Sequence, residues 1–120
     1  MKDLVLVGLG GFIGSISRYG VSLIFLKSMT ERPYFGTLAV NLAGSLIIGI
    51  LAGYASKLNH SLSLFLIVGF CGGFTTFSTF SMDGIRLLKA QLYGDFILYA
   101  TVSMVGGLAL CALGYLVGSK

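Results

Sequence analysis

The sequence predicts an all-α integral membrane protein with four transmembrane helices in a single domain. Of its 120 residues, 56% are hydrophobic and 10% are charged, whereas about 25% of the residues of a soluble domain are charged. The 8 basic and 4 acidic residues are too few to cover a soluble surface. Glycine accounts for 18 residues, which in an apolar chain is typical of closely packed membrane helices. A soluble domain and a disordered chain are therefore excluded.

Four apolar runs are each long enough to cross a bilayer, which takes about 20 apolar residues. The predicted spans are residues 4–26, 35–54, 62–82 and 96–117. The first run continues too far for a signal peptide and has no small-residue cleavage site, so we expect it to be a retained helix. Loops between the runs contain most of the charges and the single proline, so residues 1–120 are interpreted as one transmembrane domain.

The basic residues outside the spans are almost evenly divided between the two sides of the membrane. One side has Lys2, Lys57 and Lys120, and the other has Lys27, Arg32, Arg86 and Lys89. Orientation normally follows an excess of Lys and Arg on one side, and a chain without that excess can insert both ways. Two oppositely inserted copies would pair about an axis in the membrane plane. We therefore predict an antiparallel, dual-topology homodimer, with insertion in a single orientation as the alternative.

Small residues spaced four apart occur in all four runs and predict close approach of helix backbones. These pairs are Gly10 and Gly14, Gly49 and Gly53, Gly69 and Gly73, and Gly114 and Gly118. This pattern is a packing signal and has no functional content alone.

Two strongly polar side chains, Arg18 and Asn41, lie inside predicted spans, where such residues are costly and indicate function or a specific contact. Arg18 is interpreted as a cation in an aqueous vestibule or as a structural polar contact, in preference to a side chain that reaches the interface beside Tyr19. Asn41 shares a helical face with Thr37 and Ser45. Its amide either bonds to another helix or donates to a permeating anion, and both interpretations stay open.

The third run contains the sequence least suited to a continuous helix. Gly72 and Gly73 are followed closely by Thr75 and Thr76, residue types with low helix propensity. We predict a helix that is broken in the middle of the membrane, where freed backbone groups must be buried, hydrated or bound to an ion. Free carbonyls are hard oxygen ligands that suit a small hard cation. The alternative is a kinked helix with threonine hydroxyls bonded back to carbonyls.

Aromatic and hydroxyl side chains alternate after this predicted break. Helical spacing places Phe77 and Phe80 on one face, and Thr75 and Thr79 on another with Ser78 beside it. An aromatic ring has a positive edge, so phenylalanine edges and hydroxyls together can replace part of an anion's hydration shell without binding it tightly.

The remaining polar residues favour neither an enzyme nor a nucleic-acid-binding protein. All four acidic residues, Asp3, Glu31, Asp83 and Asp95, are expected at or beyond span ends. His60 is alone in a loop, and Cys71 and Cys111 are interpreted as small buried hydrophobes. No hydrolytic constellation, metal site or basic stripe for nucleic acid is evident in the sequence.

Three segments resemble the Fluc (CrcB-type) fluoride channel family. They are residues 10–19 (GGFIGSISRY), 36–44 (GTLAVNLAG) and 69–81 (GFCGGFTTFSTFS). The resemblance covers the whole chain in length and number of spans. It implies a passive, selective channel that exports toxic fluoride from bacteria, located in the plasma or inner membrane. It also implies an antiparallel homodimer with two pores.

The same resemblance implies roles for individual residues. The fluoride pore would be lined by Phe77, Phe80, Asn41, Ser78, Thr79, Tyr99 and Ser103, and Arg18 would lie near the vestibule. A structural sodium ion at the dimer centre would be bound by backbone carbonyls of Gly72 and Thr75 from both subunits.

Two other functions remain as alternatives. A small multidrug-type exporter shares the length, the four helices and the dual topology, but it requires an embedded carboxylate in the first span. A non-conducting membrane scaffold would explain the glycines but not the run of phenylalanines and hydroxyls.

Overall fold

The computed structural model describes residues 1–120, which form helices joined by short connections. Helix α1 covers Lys2–Ser28 and helix α2 covers Tyr34–Gly53. Pro33 directly precedes α2, where its fixed φ angle favours the start of a helix. A short 3-10 turn at Ala55–Lys57 follows α2.

The second half of the chain is built from α3, α4 and α5. Helix α3 covers residues 60–74, and its consecutive parts are α-helical His60–Ser63, π-helical Leu64–Cys71 and α-helical Gly72–Phe74. Helix α4 covers Ser78–Lys89. Helix α5 covers Tyr93–Gly118 and contains a π-helical segment, Val102–Gly106.

Four helical stretches are long and apolar enough to cross a membrane, which confirms the four predicted spans. They are Lys2–Ser28, Tyr34–Gly53, His60–Lys89 and Tyr93–Gly118. The third stretch includes three non-helical residues, 75–77, between α3 and α4. Thr75 has extended backbone angles, φ −87° and ψ 159°. The third stretch also continues seven residues beyond the predicted end at residue 82, because α4 reaches Lys89.

Glycines allow two pairs of helices to pack backbone against backbone. Helix α1 packs along α3, where a Cβ atom at Gly10 would meet the carbonyl oxygen of Phe65. Helix α2 packs along α5, where a Cβ atom at Gly114 would meet the carbonyl oxygen of Leu46. The other small residues of the four pairs lie in the same two contacts. The packing interpretation of these glycines is therefore confirmed.

Most large apolar side chains lie on the outside of the chain. Only 18 of 120 residues are buried, and the buried apolar cluster consists of Tyr34, Leu87 and Tyr99. An outer surface of this kind suits lipid or a second protein surface.

Candidate functional site: an ion pathway around the α3–α4 connection

The side-chain amide of Asn41 holds the non-helical connection in place. Its Nδ2 atom donates to the Thr76 carbonyl oxygen at 2.9 Å, and its Oδ1 atom accepts from the Thr76 backbone N–H at 2.8 Å. These two bonds replace the helical partners that Thr76 lacks. Of the two interpretations of Asn41, the interhelical hydrogen bond is thus observed. Nδ2 carries a second N–H, which makes no bond within the chain.

The hydroxyl of Thr76 organises the start of α4. Its Oγ1 atom accepts from the backbone N–H of Thr79 at 3.2 Å and donates to the Thr79 hydroxyl at 3.2 Å. The Ser78 hydroxyl lies 3.3 Å from the same oxygen. A side-chain oxygen at this position satisfies an amide that the first helical turn leaves free. The predicted pore residues Ser78 and Thr79 therefore form a bonded cluster with Thr76.

The carbonyl oxygens of Gly72, in α3, and of Thr75, in the connection, have no hydrogen-bond partner within the chain. The backbone N–H and the hydroxyl of Thr75 both donate to the Cys71 carbonyl, at 3.0 and 2.9 Å. The carbonyl of Gly73 accepts from Arg18. No hydrogen bond ends at the carbonyl of Gly72 or of Thr75. A Cβ atom at Gly72 would have nothing within 4 Å, so this part of α3 is open to the outside.

Arg18 forms a structural contact and also faces a polar cavity. Its Nε atom donates to the Gly73 carbonyl at 3.0 Å, which joins α1 to the end of α3. The cavity has a volume of about 280 Å³. Its lining residues are Ser15, Arg18, Tyr19, Ser22, Thr37, Val40, Thr76 and Thr79. The half-buried guanidinium therefore lies at a hydroxyl-rich surface that also includes Thr79.

A larger cavity brings four of the predicted pore residues together. Phe77, Phe80, Asn41 and Ser103 all line a space of about 550 Å³. The two phenylalanine rings lie with centroids 5.7 Å apart, and 78% of Phe77 is exposed. The Ser103 Oγ atom is buried and has no hydrogen-bond partner. It belongs to the π-helical segment of α5, and it faces a cavity whose other walls are mostly apolar.

A third cavity adjoins the connection on the side of the unpaired carbonyls. Its volume is about 330 Å³, and Gly72, Thr75, Asn41 and Phe77 are among its lining residues. Asn41 and Phe77 therefore line both this cavity and the larger one.

Tyr99 is brought close to the phenylalanines but does not line these cavities. Only 2% of its surface is exposed, and its ring centroid lies 5.0 Å from that of Phe80. Its hydroxyl donates to Asp83 Oδ2 at 3.2 Å. Ser78 is exposed beside the connection and also lies outside the three cavities.

Asp83 is a buried acidic residue next to the site whose contacts the sequence did not predict. Asp83 directly follows the predicted end of the third span at residue 82, and α4 continues past it to Lys89, so that its carboxylate is buried against the protein. The carboxylate accepts from Tyr99 and lies 3.5 Å from Arg86 Nη1. A signal was present: Asp83 precedes the buried Leu87 by four residues, so the two share one face of α4.

The four apolar helices and the cavities between them define a small multi-pass helical membrane protein. Comparison with known families assigns the chain to one family within this class. The family model described as "CrcB-like protein, Camphor Resistance (CrcB)" matches residues 5–115, and the chain belongs to this family. The resemblance drawn from the three sequence segments is thereby confirmed, and the chain is a multi-pass protein of a bacterial membrane.

Curated relatives match over nearly the full chain. A Bacteroides fragilis protein is 43% identical, with 97% of this chain and 96% of the relative covered. An Azobacteroides pseudotrichonymphae protein is 40% identical, with 97% and 95% covered. A Flavobacterium psychrophilum protein is 37% identical, with 100% and 99% covered. Each is named "Fluoride-specific ion channel FluC", so these relatives are ion channels by name and not enzymes.

Proposed function

We propose that this chain forms a passive, selective fluoride channel that exports fluoride from the bacterial cytoplasm and so relieves its toxicity. The observation that supports this most is the cavity shared by Phe77, Phe80, Asn41 and Ser103. The names of the relatives indicate the same ion.

The chemistry of this cavity suits a small, strongly hydrated anion. The Ser103 hydroxyl and the second N–H of Asn41 are two donors without partners in the chain. The edges of aromatic rings carry partial positive charge, so Phe77 and Phe80 would face the anion without a full opposite charge. An anion held by weak, successive contacts can both enter and leave.

The vestibule of this pathway would be the polar cavity at Arg18. A cation at a polar surface attracts anions, and the Thr79 and Thr76 hydroxyls extend from this cavity to the α3–α4 connection. In our proposal, the hydroxyls of Ser78 and Thr79 would assist ion passage. Tyr99 would support the pathway from behind Phe80.

We propose that the working unit is an antiparallel, dual-topology homodimer. It would have two pores, and the cavities around the α3–α4 connection of each copy would form one of them. The even division of basic residues and the exposed apolar surface support this assembly. Residues 75–77 lie about halfway along the third stretch, His60–Lys89, so the break would lie in the middle of the membrane.

A structural sodium ion would be bound where the two copies meet. The residues present fit this ion, because the carbonyls of Gly72 and Thr75 are hard oxygen ligands that accept no hydrogen bond. The open surface at Gly72 leaves room for a second copy to approach. The sodium would neutralise the negative ends of these carbonyl dipoles at the centre of the dimer.

Fluoride efflux from proteoliposomes tests the proposed function, with chloride as the matched anion and no pH gradient. We expect fast fluoride efflux and negligible chloride efflux. Replacing Phe80 by Ile should reduce fluoride efflux, whereas the same change at the exposed Phe12 of α1 should leave it unchanged. Efflux that requires a proton gradient would favour a coupled exporter. No efflux from folded dimers would favour a scaffold.

A further inference from the structure

A continuous row of aromatic rings leads from the cavity to the outer end of the helix bundle. Phe77 lies 5.7 Å from Phe80, Phe80 lies 5.0 Å from Tyr99, and Tyr99 lies 5.0 Å from Tyr34, centroid to centroid. Phe35 continues the row at 5.0 Å from Tyr34. The row joins α4, α5 and α2, and it connects Phe80 to residues that do not line the cavity.

Tyr34 is the member of this row that contacts two points of α5. Its ring meets the Tyr99 ring edge to face, with an interplanar angle of 62°. Its hydroxyl lies 3.4 Å from Asp95 Oδ2, four residues before Tyr99 on the same face of α5. This is a long distance for a hydrogen bond between oxygens, so the ring contact is the main interaction of Tyr34 with α5. Tyr34 is 8% exposed, and its ring has little freedom to move.

Tyr99 has little freedom as well, because three groups surround it. Its hydroxyl is bonded to Asp83, and the rings of Phe80 and Tyr34 each lie 5.0 Å from its own ring, centroid to centroid. Loss of the Tyr34 ring would leave a void beside Tyr99, and a void next to a packed side chain permits other rotamers. Movement of Tyr99 would then release Phe80.

We propose that Tyr34 is a positioning residue for ion passage, which acts through Tyr99 on Phe80. It touches neither the cavity nor the ion, and its aromatic ring, not its hydroxyl, sets the angle at which Phe80 faces the pathway. This inference rests on the proposed channel function.

The test compares two substitutions of Tyr34 by their fluoride efflux per folded dimer. Tyr34→Leu removes the ring. The interaction energy of one aromatic pair corresponds to a roughly two- to tenfold change, and we expect efflux to fall by that factor. Tyr34→Phe keeps the ring and should restore efflux to within about twofold of the wild type. If Tyr34→Phe loses as much efflux as Tyr34→Leu, the hydroxyl is responsible and the inference is wrong.

A double-substitution cycle separates positioning from general weakening of the fold. If Tyr34 acts through Tyr99, then Tyr34→Leu should cause no further loss of efflux in a Tyr99→Leu background. Full additivity of the two losses would overturn the inference. Phe70→Leu is the matched control, because it removes a stacked partner of Phe74 on α3, outside this row. It should reduce stability but not efflux per folded dimer.

Fluoride efflux by the wild-type protein distinguishes a failure of this inference from a failure of the proposed function. Fluoride efflux by the wild type, together with unchanged efflux in Tyr34→Leu, would contradict the role of Tyr34 and leave the channel function intact. Absence of fluoride efflux by the wild type would contradict the channel function itself, and with it the inference.

Discussion

Replacing Asn41 by leucine removes both hydrogen bonds that hold the Thr76 backbone, at 2.8 and 2.9 Å. Hydrogen bonds between membrane helices are worth roughly 0.6 kcal/mol each, which sets a lower limit of about 1 kcal/mol for the pair. Leaving a buried polar group without a partner costs about 1–3 kcal/mol, so two orphaned groups would cost up to about 6 kcal/mol.

The variant has one way to reduce this cost. In a continuous helix, the Thr76 N–H would bond to the carbonyl of Gly72, four residues earlier. That carbonyl is unpaired in the native structure, so closing the helix would satisfy one of the two groups. We therefore expect Asn41→Leu to lower the free energy of unfolding by about 2 kcal/mol. Because closure also removes a proposed sodium ligand and an amide of the pathway, fluoride efflux should fall.

The measurement is an SDS titration of the protein in mixed micelles, which gives the free energy of unfolding of each variant. Asn59→Leu is the matched control, since Asn59 is an exposed helix cap that accepts one bond from the Leu62 N–H at 2.8 Å. A lost cap costs about 1 kcal/mol. If Asn41→Leu were no less stable than the wild type, while Asn59→Leu lost its cap energy, the reasoning about Thr76 would be refuted.

Two further substitutions test the packing and the start of α4. Gly114→Val would place a side chain against the Leu46 carbonyl. This substitution should lower the free energy of unfolding by about 1–3 kcal/mol. Gly8 has open space around it, so Gly8→Ala should leave the free energy of unfolding unchanged. Equal stability of the two variants would contradict the close contact of α2 and α5. Thr76→Val keeps the shape of the side chain but removes the acceptor for the Thr79 N–H, so SDS titration should show a loss of about 1 kcal/mol. An unchanged free energy would mean that water satisfies this amide equally well.

Much of the fold could be predicted from local sequence. The four spans follow from apolar runs of sufficient length, a property of consecutive residues that needs no tertiary information. The glycine pairs also revealed which helix faces pack closely, because a missing side chain has the same effect wherever the partner lies. The ends of the third span were harder to predict from the sequence. An amphipathic helix that buries Asp83 has the same composition as a solvated helix end.

The candidate site was predictable in its residue types and less so in its contacts. Arg18 and Asn41 were identified because polar groups inside a span are costly, but the partner of each could not be read from the sequence. Both partners are backbone groups, at Gly73 and Thr76. A backbone carbonyl is identical at every position, so no sequence pattern distinguishes the one that is free to accept a bond.

Composition and spacing along each helix were enough to predict the class of protein, the number of spans and the polar residues that are exceptional inside a membrane. The packing of the helices was needed to show that Asn41 binds the Thr76 backbone, that Asp83 is buried against Tyr99, and that Phe77, Phe80 and Ser103 share a cavity. These relations join residues that are far apart in the chain. Their distances depend on how whole helices pack, which local propensity does not specify.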